Sequence, residues 1–391
     1  MLYMSGLDHH GAPISLRERL SFTKSGVVDL DRAIGGVSGV EGAVLLSTCN
    51  RTELYLSCGE AVDPGALLCR AAGVGFADFS GVFVNRQGED CARHLLEVAC
   101  GLQSQILGED QILTQVKNAV VLAREAGTAS ADLETLFRTA AACGKAAKRG
   151  GRLTRIPGSA AHQAVRSLEE RLGTLRGRRA LVIGNGEMGK LSAKLLRDAG
   201  CRVTMTLRSY RHGETVIPAG CAAAAYDDRY AAMEGMDILL SATASPHYTV
   251  DAARFGEVVR KPLLLVDLAI PRDIQPEAGA LPGVTLWNVD DLGHPDGTDE
   301  EELTRIRALL EGYLADYRQW NAFREAIPAR ELVKEAVWER VRHYVRPDMD
   351  GEEAARLAAE KTVELLAGGL KEHLTAEDWQ TCARKIRTHT R

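Results

Sequence analysis

The 391-residue sequence contains no apolar run approaching the roughly 18 residues that a membrane-spanning helix requires. Its first residues, Met1-Leu2-Tyr3-Met4-Ser5-Gly6, lack the basic start and hydrophobic core of a secretory leader and read as a first strand. The nine cysteines include no C-x-x-C pair. That argues against a zinc cage or a disulfide framework and for free thiols in a reducing, cytoplasmic setting. No internal repeat or low-complexity tract is present. A net charge of −5 gives no global attraction to nucleic acid. Acids are nevertheless absent between Glu134 and Glu169, where Arg138, Lys145, Lys148, Arg149, Arg152, Arg155 and Arg166 fall. Such a cluster is either a solvated helix face or a local patch for phosphates.

What remains is an ordinary globular composition, 45% hydrophobic and 26% charged, long enough for two or three domains. The most informative stretch is Ser47-Thr48-Cys49-Asn50-Arg51. The apolar run Ala43-Val44-Leu45-Leu46 leads into it, and the alternating run Glu53-Leu54-Tyr55-Leu56-Ser57 leads out. A cysteine in a short polar break between two strands is presented rigidly, as a nucleophile needs. The guanidinium two residues on suits a carboxylate. An isolated cysteine is more often a small core residue, so the rest of the chain must decide.

Residues 1 to about 85 mix short strands with helices expected near 14–22 and 64–72, an α+β unit. From Glu89 the spacing turns helical, with Ala92, Leu95, Leu96, Ala99 and Leu102 on one face. Ile112, Val116, Ala119, Val120 and Ala123 mark a second helix, and a basic, alanine-rich third runs from Leu133 to Lys148. Gly150-Gly151 and Pro157-Gly158-Ser159 mark a domain exit. Asp8, His9 and His10 raise the question of a metal site. Adjacent histidines on a strand point to opposite faces, which favours a simple turn.

After a helix over 160–172, the stretch from Arg178 to Gly189 reads as a buried strand, a G-x-G-x-x-G loop (Gly184, Gly186, Gly189) and the start of a helix ending at Ala199. Strand resumes from Cys201 to Leu207. In that setting the glycines let backbone approach a pyrophosphate at a helix N-terminus. An acid usually ends the second strand where NAD binds, yet 203–213 contains none, and Arg208, Ser209 and Arg211 stand there. Cations and a hydroxyl suit a 2′-phosphate, so NADPH is favoured. Further strands are expected at Asp237–Thr243, Leu263–Asp267 and Val284–Val289, and the turn Ser245-Pro246-His247 is a candidate to approach the nicotinamide. A long helix over 299–326 carries Leu303, Ile306, Leu309, Leu310, Tyr313, Leu314, Tyr317, Trp320 and Phe323. Pro328 and Pro347 are expected to break the C-terminal stretch into further helices.

Several ordered stretches together resemble the glutamyl-tRNA reductase family. They are Ser47 to Glu53, His94 through Gly101-Leu102-Gln103-Ser104 to Gly108-Glu109-Asp110-Gln111 and on to Lys117, Gly184 to Gly189, Ser245-Pro246-His247, Asp267 to Ile274, and Asp290-Asp291-Leu292. The resemblance runs from about residue 2 to 325. It implies a multidomain α+β and α/β protein: a catalytic glutamyl-tRNA-binding domain (1–157), a Rossmann-type NADPH domain (158–292), and a long spinal helix with a helical dimerisation domain (293–391). It implies reduction of glutamyl-tRNA(Glu) to glutamate-1-semialdehyde, the first step of tetrapyrrole synthesis, by a homodimer that could hand its product to the aminomutase. Carried over by position, Cys49 is the nucleophile and His94 a histidine important for activity. Thr48, Asn50, Arg51, Ser104, Glu109, Asp110, Gln111 and Gln115 line the substrate pocket, and Gly184, Asn185, Gly186, Glu187, Met188 and Gly189, with Arg208 and Ser209, hold the cofactor.

This chain departs from the family in two places. Leu207-Arg208-Ser209 stands where Asn-Arg-Thr is common, and the late Leu-Leu-His-x-Pro signature is missing. Two other readings stand beside the first, a reductase of another acyl carrier and a catalytically silent tRNA- or haem-binding regulator. The retained Arg51, Ser104 and Gln115 oppose the former. Cys49 and the glycine loop oppose the latter.

Overall fold

Two sheets organise the first part of the chain. A computed structural model describes residues 1–79, 81–104, 110–150, 159–208, 217–258, 263–292 and 300–388. These divide into two units, Met1–Tyr317 and Arg318–Arg391. The expected domain limits at 157/158 and 292/293 fall on or beside residues outside this description.

The first sheet is four-stranded and antiparallel, in the order β2 (Val40–Ser47), β3 (Arg51–Cys58), β1 (Leu2–Asp8), β4 (Val84–Gln87). Between β1 and β2 run the one-turn α1 (Ile14–Arg17) and α2 (Lys24–Gly35). After β3 come α3 (Pro64–Ala72), α4 (Gly88–Ala99), α5 (Asp110–Ala126) and α6 (Ala131–Gly150). Successive strand side chains alternate between faces. On one face Leu7, Leu45, Leu54 and Leu56 join Val27 and Leu30 of α2 and Leu67 and Leu68 of α3 in one core. On the other, Tyr55 meets Phe137 of α6 edge-on at 5.3 Å, and Ser57 donates to Asp132 of α6 at 3.0 Å.

The expected helix at 14–22 is a single turn followed by a 3-10 turn, and the main helix comes later, as α2. Thr23 starts α2 by accepting a hydrogen bond from the Gly26 N–H at 3.2 Å. Helices α4 and α6 cross closely at Gly144, where a Cβ would lie 2.3 Å from the Ala99 carbonyl oxygen.

Helix α7 (Ala160–Leu172) leads into the second sheet. Its strands are β5 (Arg179–Ile183), β6 (Arg202–Leu207), β7 (Ala222–Ala225), β8 (Ile238–Ser241), β9 (Leu263–Asp267) and β10 (Val284–Asn288). Helices α8 (Glu187–Asp198), α9 (Arg229–Met233) and α10 (Ala252–Val258) lie between them. All pairings are parallel, in the order β7-β6-β5-β8-β9-β10, the doubly wound arrangement whose ligand crevice opens where the strand order reverses. Both faces are covered: Ala180, Val182 and Leu240 join one core, Leu181, Ile183 and Leu239 the other. This is why the strands read as continuous apolar runs.

The first unit ends within α11 (Glu300–Glu325), whose buried stripe is Leu303, Ile306, Leu310, Leu314 and Tyr317. Arg305 donates to the carbonyl of Ala147 in α6 at 2.8 Å, and Glu311 pairs with Arg93 of α4. The second unit continues from α11 into α12 (Ile327–Val341), α13 (Gly351–Gly369) and α14 (Ala376–Thr388). Pro328 sits in the first turn of α12 and so marks the expected break between α11 and that helix. Within this unit Leu332, Trp338 and Ile386 are more than 60% exposed.

Candidate active site

Strands β2 and β3 pair as far as Ser47 opposite Thr52, and the Thr48 N–H donates to the Arg51 carbonyl at 2.9 Å. Cys49-Asn50 is therefore the two-residue tip of a hairpin. Such tips usually need a left-handed residue, yet neither Cys49 nor Asn50 has a positive φ. The Thr48 hydroxyl holds the turn, accepting from the Asn50 and Arg51 N–H groups at 3.1 Å each. Outside contacts pin the tip further. The His9 N–H donates to the Asn50 carbonyl at 3.0 Å, and Arg17 donates to the Cys49 carbonyl at 3.1 Å and the Asn50 side chain at 3.3 Å. Cys49 is half-buried and outside any disulfide.

Arg51, Glu53 and Tyr55 follow at alternate positions of β3 and share one face. Glu53 gathers donors there: Arg51 Nη1 at 2.6 Å, the Tyr55 hydroxyl at 2.7 Å, and His94 Nε2 of α4 at 2.8 Å. Gly6 makes room for it, since a Cβ there would lie 2.6 Å from Glu53 Cγ. Burial by itself would raise the Glu53 pKa. The charges of His94 and Arg51, with hydrogen bonds from His94 and Tyr55, overturn that and hold the carboxyl well below the usual range. Burial pushes the Tyr55 hydroxyl well above its ordinary value, and Glu53 adds to the effect.

The sequence reading placed Arg51 as an open fork for a carboxylate. It is 2% exposed, with Nη1 on Glu53, Nη2 donating to the Gln103 carbonyl, and Asp8 4.0 Å away. His94 is also buried, and its Nδ1 has no hydrogen-bond partner among the described residues. Its link to the cysteine runs through Glu53 and Arg51. Ser104 lies next to Gln103 and is half-buried. Gln111 and Gln115 share the half-buried face of α5, one turn apart, and α5 packs against β2. Glu109 lies outside the described residues, as does the side chain of Asp110.

Strand β1 ends at Asp8, so His9 and His10 sit in a turn. Because the strand stops there, the argument from opposite faces does not apply. Their ring centroids are 3.9 Å apart, and the ligand-type atoms of Asp8, His9 and His10 lie within 4.8 Å of one another. Burial, His10 and the guanidinium groups of Arg51 and Arg17 depress His9 to a pKa of about 4, although Asp8 opposes this. The same guanidinium groups oppose a bound cation.

The second cluster of expected residues lies at the crevice of the parallel sheet. Gly184 adopts φ +110° with its missing Cβ against the Ala242 carbonyl, and a Cβ on Gly189 would lie 2.0 Å from the Gly184 carbonyl oxygen. Nothing lies within 4 Å of the Cβ position of Gly186, at the cap of α8, so open space stands where a phosphate would approach. Gly184, Asn185 and Gly186 line a cleft of about 290 Å3 with Thr206, Arg208 and Ser245. The buried Thr206 hydroxyl has no partner among the described residues, and the Arg208 guanidinium stacks on Tyr226 at 4.3 Å. Glu187, Met188 and Gly189 form the first turn of α8. Ser209 and Arg211 lie outside the described residues. The donors, glycines and open cap fit a dinucleotide.

Residues 5–150 match the family described as glutamyl-tRNAGlu reductase, N-terminal domain, and residues 166–294 match shikimate / quinate 5-dehydrogenase. A glutamyl-tRNA reductase of Alkaliphilus oremlandii is 41% identical over 330 residues, 83% of this chain and 98% of the relative. The chain belongs to the glutamyl-tRNA reductase family. A second such reductase, from Acetivibrio thermocellus, is 40% identical over 83% of this chain and 98% of its own length. A solved glutamyl-tRNA reductase from Methanopyrus kandleri is 29% identical, aligned over 99% of this chain and 98% of that one, with a TM-score of 0.46. Membership makes the chain an oxidoreductase, with a nicotinamide-dinucleotide-binding Rossmann domain as its second sheet. No helix among the described residues is long and apolar enough to cross a membrane.

The sequence reading assigned no role to Arg17, Glu53, Tyr55 or Thr206. The alternation of Arg51, Glu53 and Tyr55 in a strand-like run carried the signal for two of them. Arg17 carried none, because its partner Asp290 lies 273 residues away.

Proposed function

We infer that this chain reduces the glutamyl ester of tRNA(Glu) to glutamate-1-semialdehyde, with Cys49 as nucleophile. The observation that carries this reading is the hairpin tip. In a chain of this family, it presents one half-buried thiol on a turn fixed by Thr48, His9 and Arg17. The thiolate attacks the ester carbonyl, a C–S bond forms, and the ester C–O bond breaks as the tRNA ribose oxygen leaves with a proton. A nicotinamide dinucleotide held at the second sheet by Gly184, Asn185, Gly186 and Arg208 would supply the hydride that the thioester carbon accepts. The C–S bond then breaks and returns the thiolate as the aldehyde departs.

Arg51 receives the side-chain carboxylate of the substrate on its Nη2 edge, now on the Gln103 carbonyl, while Nη1 stays with Glu53. A glutamine ester would leave that edge unpaired, which selects for glutamate. Thr48, Asn50, Ser104, Glu109, Asp110, Gln111 and Gln115 complete the substrate pocket in this reading. His94 is placed to move a proton at Nδ1, with Nε2 fixed by Glu53.

NADPH is favoured over NADH because Arg208 lines the cleft where NAD sites place an acid. Gly184, Asn185, Gly186, Glu187, Met188 and Gly189 cradle its pyrophosphate, and Ser209 is assigned to the 2′-phosphate. Arg138, Lys145 and Arg149 lie exposed along one side of α6 and suit tRNA phosphates. The three functional regions follow the expected limits 1–157, 158–292 and 293–391. The exposed apolar side chains of the second unit favour a homodimer, and the reactive aldehyde favours transfer to the aminomutase, all in the cytoplasm.

The test mixes purified protein, NADPH and tRNA charged with labelled glutamate, with Cys49→Ser in parallel. Labelled aldehyde is expected from the wild type, with at least a thousandfold less (on the order of 10³) from the variant. A serine variant that reduced substrate at the wild-type rate would end the thioester mechanism. An NADH rate equal to the NADPH rate would remove the cofactor preference. Unchanged tRNA affinity in a Lys145→Glu/Arg149→Glu variant would remove the α6 face from the tRNA path.

A further inference from the structure

One guanidinium bridges the cysteine hairpin and the nucleotide sheet. Arg17, at the end of the one-turn α1, is 2% exposed. A guanidinium carries five N–H donors, and five acceptors surround this one. Nε donates to the Ala12 carbonyl at 3.2 Å. Nη1 serves the Cys49 carbonyl at 3.1 Å and Asn50 Oδ1 at 3.3 Å. Nη2 serves Asp290 Oδ1 and Oδ2 at 2.5 and 2.6 Å.

Asp290 stands just past the end of β10, in a turn fixed by Asn288, whose side chain accepts from the Asp290 N–H at 2.8 Å. The contact therefore joins the backbone of the nucleophile to the strand-end rim of the sheet that holds the nucleotide. Two neighbours in the same segment reach the same rim. Glu18 accepts from the Arg272 N–H, Nε and Nη2 at 2.7–2.8 Å, and Ser21 donates to the Ile270 carbonyl at 3.3 Å. Of these three residues, Arg17 is the one that also bonds the cysteine turn.

We propose that Arg17 and Asp290 are positioning residues that set the Cys49 turn against the nucleotide cleft, so that hydride transfer depends on them while acylation of Cys49 does not depend on Asp290. The inference rests on the reading that Cys49 carries the acyl group. Attack on the ester needs only the hairpin and the substrate pocket, which the first sheet and its helices supply. Hydride transfer needs groups from both sheets brought to bonding distance, and an ångström of misplacement costs about a hundredfold. Removing Asp290 cuts the tie between Arg17 and the end of β10, while the bonds from Arg17 to the Cys49 turn remain.

The experiment uses the full chain as wild type, Asp290→Ala, Asp290→Glu and Arg17→Lys. Acylation is read without NADPH, as labelled glutamate that stays with the protein after ribonuclease digestion of the tRNA and acid precipitation. Hydride transfer is read as single-turnover aldehyde formation after NADPH is added, and NADPH affinity by fluorescence. Asp290→Ala is expected to acylate within about twofold of wild type, to bind NADPH within about threefold, and to form aldehyde at least about tenfold more slowly. Asp290→Glu should recover part of the loss. Arg17→Lys, with three donors for five acceptors, should lose both steps, hydride transfer more than acylation.

Aldehyde formation at the wild-type rate in Asp290→Ala would overturn the proposal. Equal losses of acylation and hydride transfer would also overturn it, reducing the contact to a prop for the hairpin. If Asp290→Ala misfolds, Asp290→Glu and Arg17→Lys decide in its place: hydride transfer falling further than acylation supports the proposal, and equal falls overturn it. A wild type that reduces substrate without ever retaining label would sink the thioester reading itself, a result separable from any variant.

Discussion

Glu53 in the antiparallel sheet and Asp267 in the parallel sheet are both buried carboxyl groups near a reaction centre, yet they titrate in opposite directions. Glu53 lies among Arg51, His94 and Tyr55 and is held ionised. Asp267 accepts backbone N–H bonds from Ala269, Asp273 and Ile274 and lies near a second acid, Asp273. Burial, reinforced by Asp273, pushes it up to about 8. Asp273 is raised as well, by burial, although Ser241 and Thr243 donate to it. The neighbours decide the charge state, since burial is common to both. The first sheet keeps a fixed charge on Glu53 close to the cysteine hairpin, whereas the second holds Asp267 largely protonated near neutral pH.

Breaking the first half of this comparison should have the largest effect. Glu53→Gln removes the anion between Arg51 and His94 and should cost about 3–5 kcal/mol, read by denaturant unfolding. Wild-type stability in that variant would mean the cluster is not held by charge.

Glycine substitutions probe the second sheet with a smaller effect. Gly189→Ala drives a Cβ to 2.0 Å from a backbone carbonyl and should destabilise by about 1–3 kcal/mol while weakening dinucleotide binding. Gly186→Ala meets nothing within 4 Å of its Cβ, so its stability should stay within about 0.5 kcal/mol while nucleotide affinity falls. Equal melting temperatures for the two variants would contradict the packing described at Gly184.

The smallest effect is the pH dependence. The folded pKa of Asp267, about 8, lies above its ordinary value of 3.8. Its contribution is therefore fully present below pH 4 and lost as pH rises through 8. Asp267→Asn should flatten that decline between pH 5 and 8. It should also lower stability at pH 5, where an amide NH2 replaces one of the oxygens that accept from the backbone. Parallel wild-type and variant curves from pH 5 to 9 would show that Asp267 does not titrate there.

Local pattern carried much of this into view before any coordinates. Leu263–Asp267 is a strand with the expected limits, and the glycine loop sits between β5 and α8 as its spacing required. Helix α2 escaped notice because its glycines and charges dilute a short apolar face. Strand β7, four alanines, has no distinctive residue at all. The site was half legible. The cysteine turn announced itself by its flanking strands, whereas Arg17, Asp290 and the gathering of donors on Glu53 depend on contacts across the fold that no window of sequence contains. Pro328 and Pro347 break the C-terminal stretch as expected, the first by opening α12 and the second by lying between α12 and α13.

Strand β3 also acts as a ruler. Its odd-numbered positions from Arg51 to Tyr55 carry the polar network, and its even-numbered positions carry the leucines of the opposite core. A single inserted or deleted residue would exchange the two sets, placing leucines beside His94 and carboxylates among aliphatic side chains. Length changes should therefore be rejected within 51–58 and in the two-residue tip. Among natural relatives, gaps should instead gather at turns far from the hairpin, so the spacing from Cys49 to Glu53 serves as a stricter signature than any one amino acid within it.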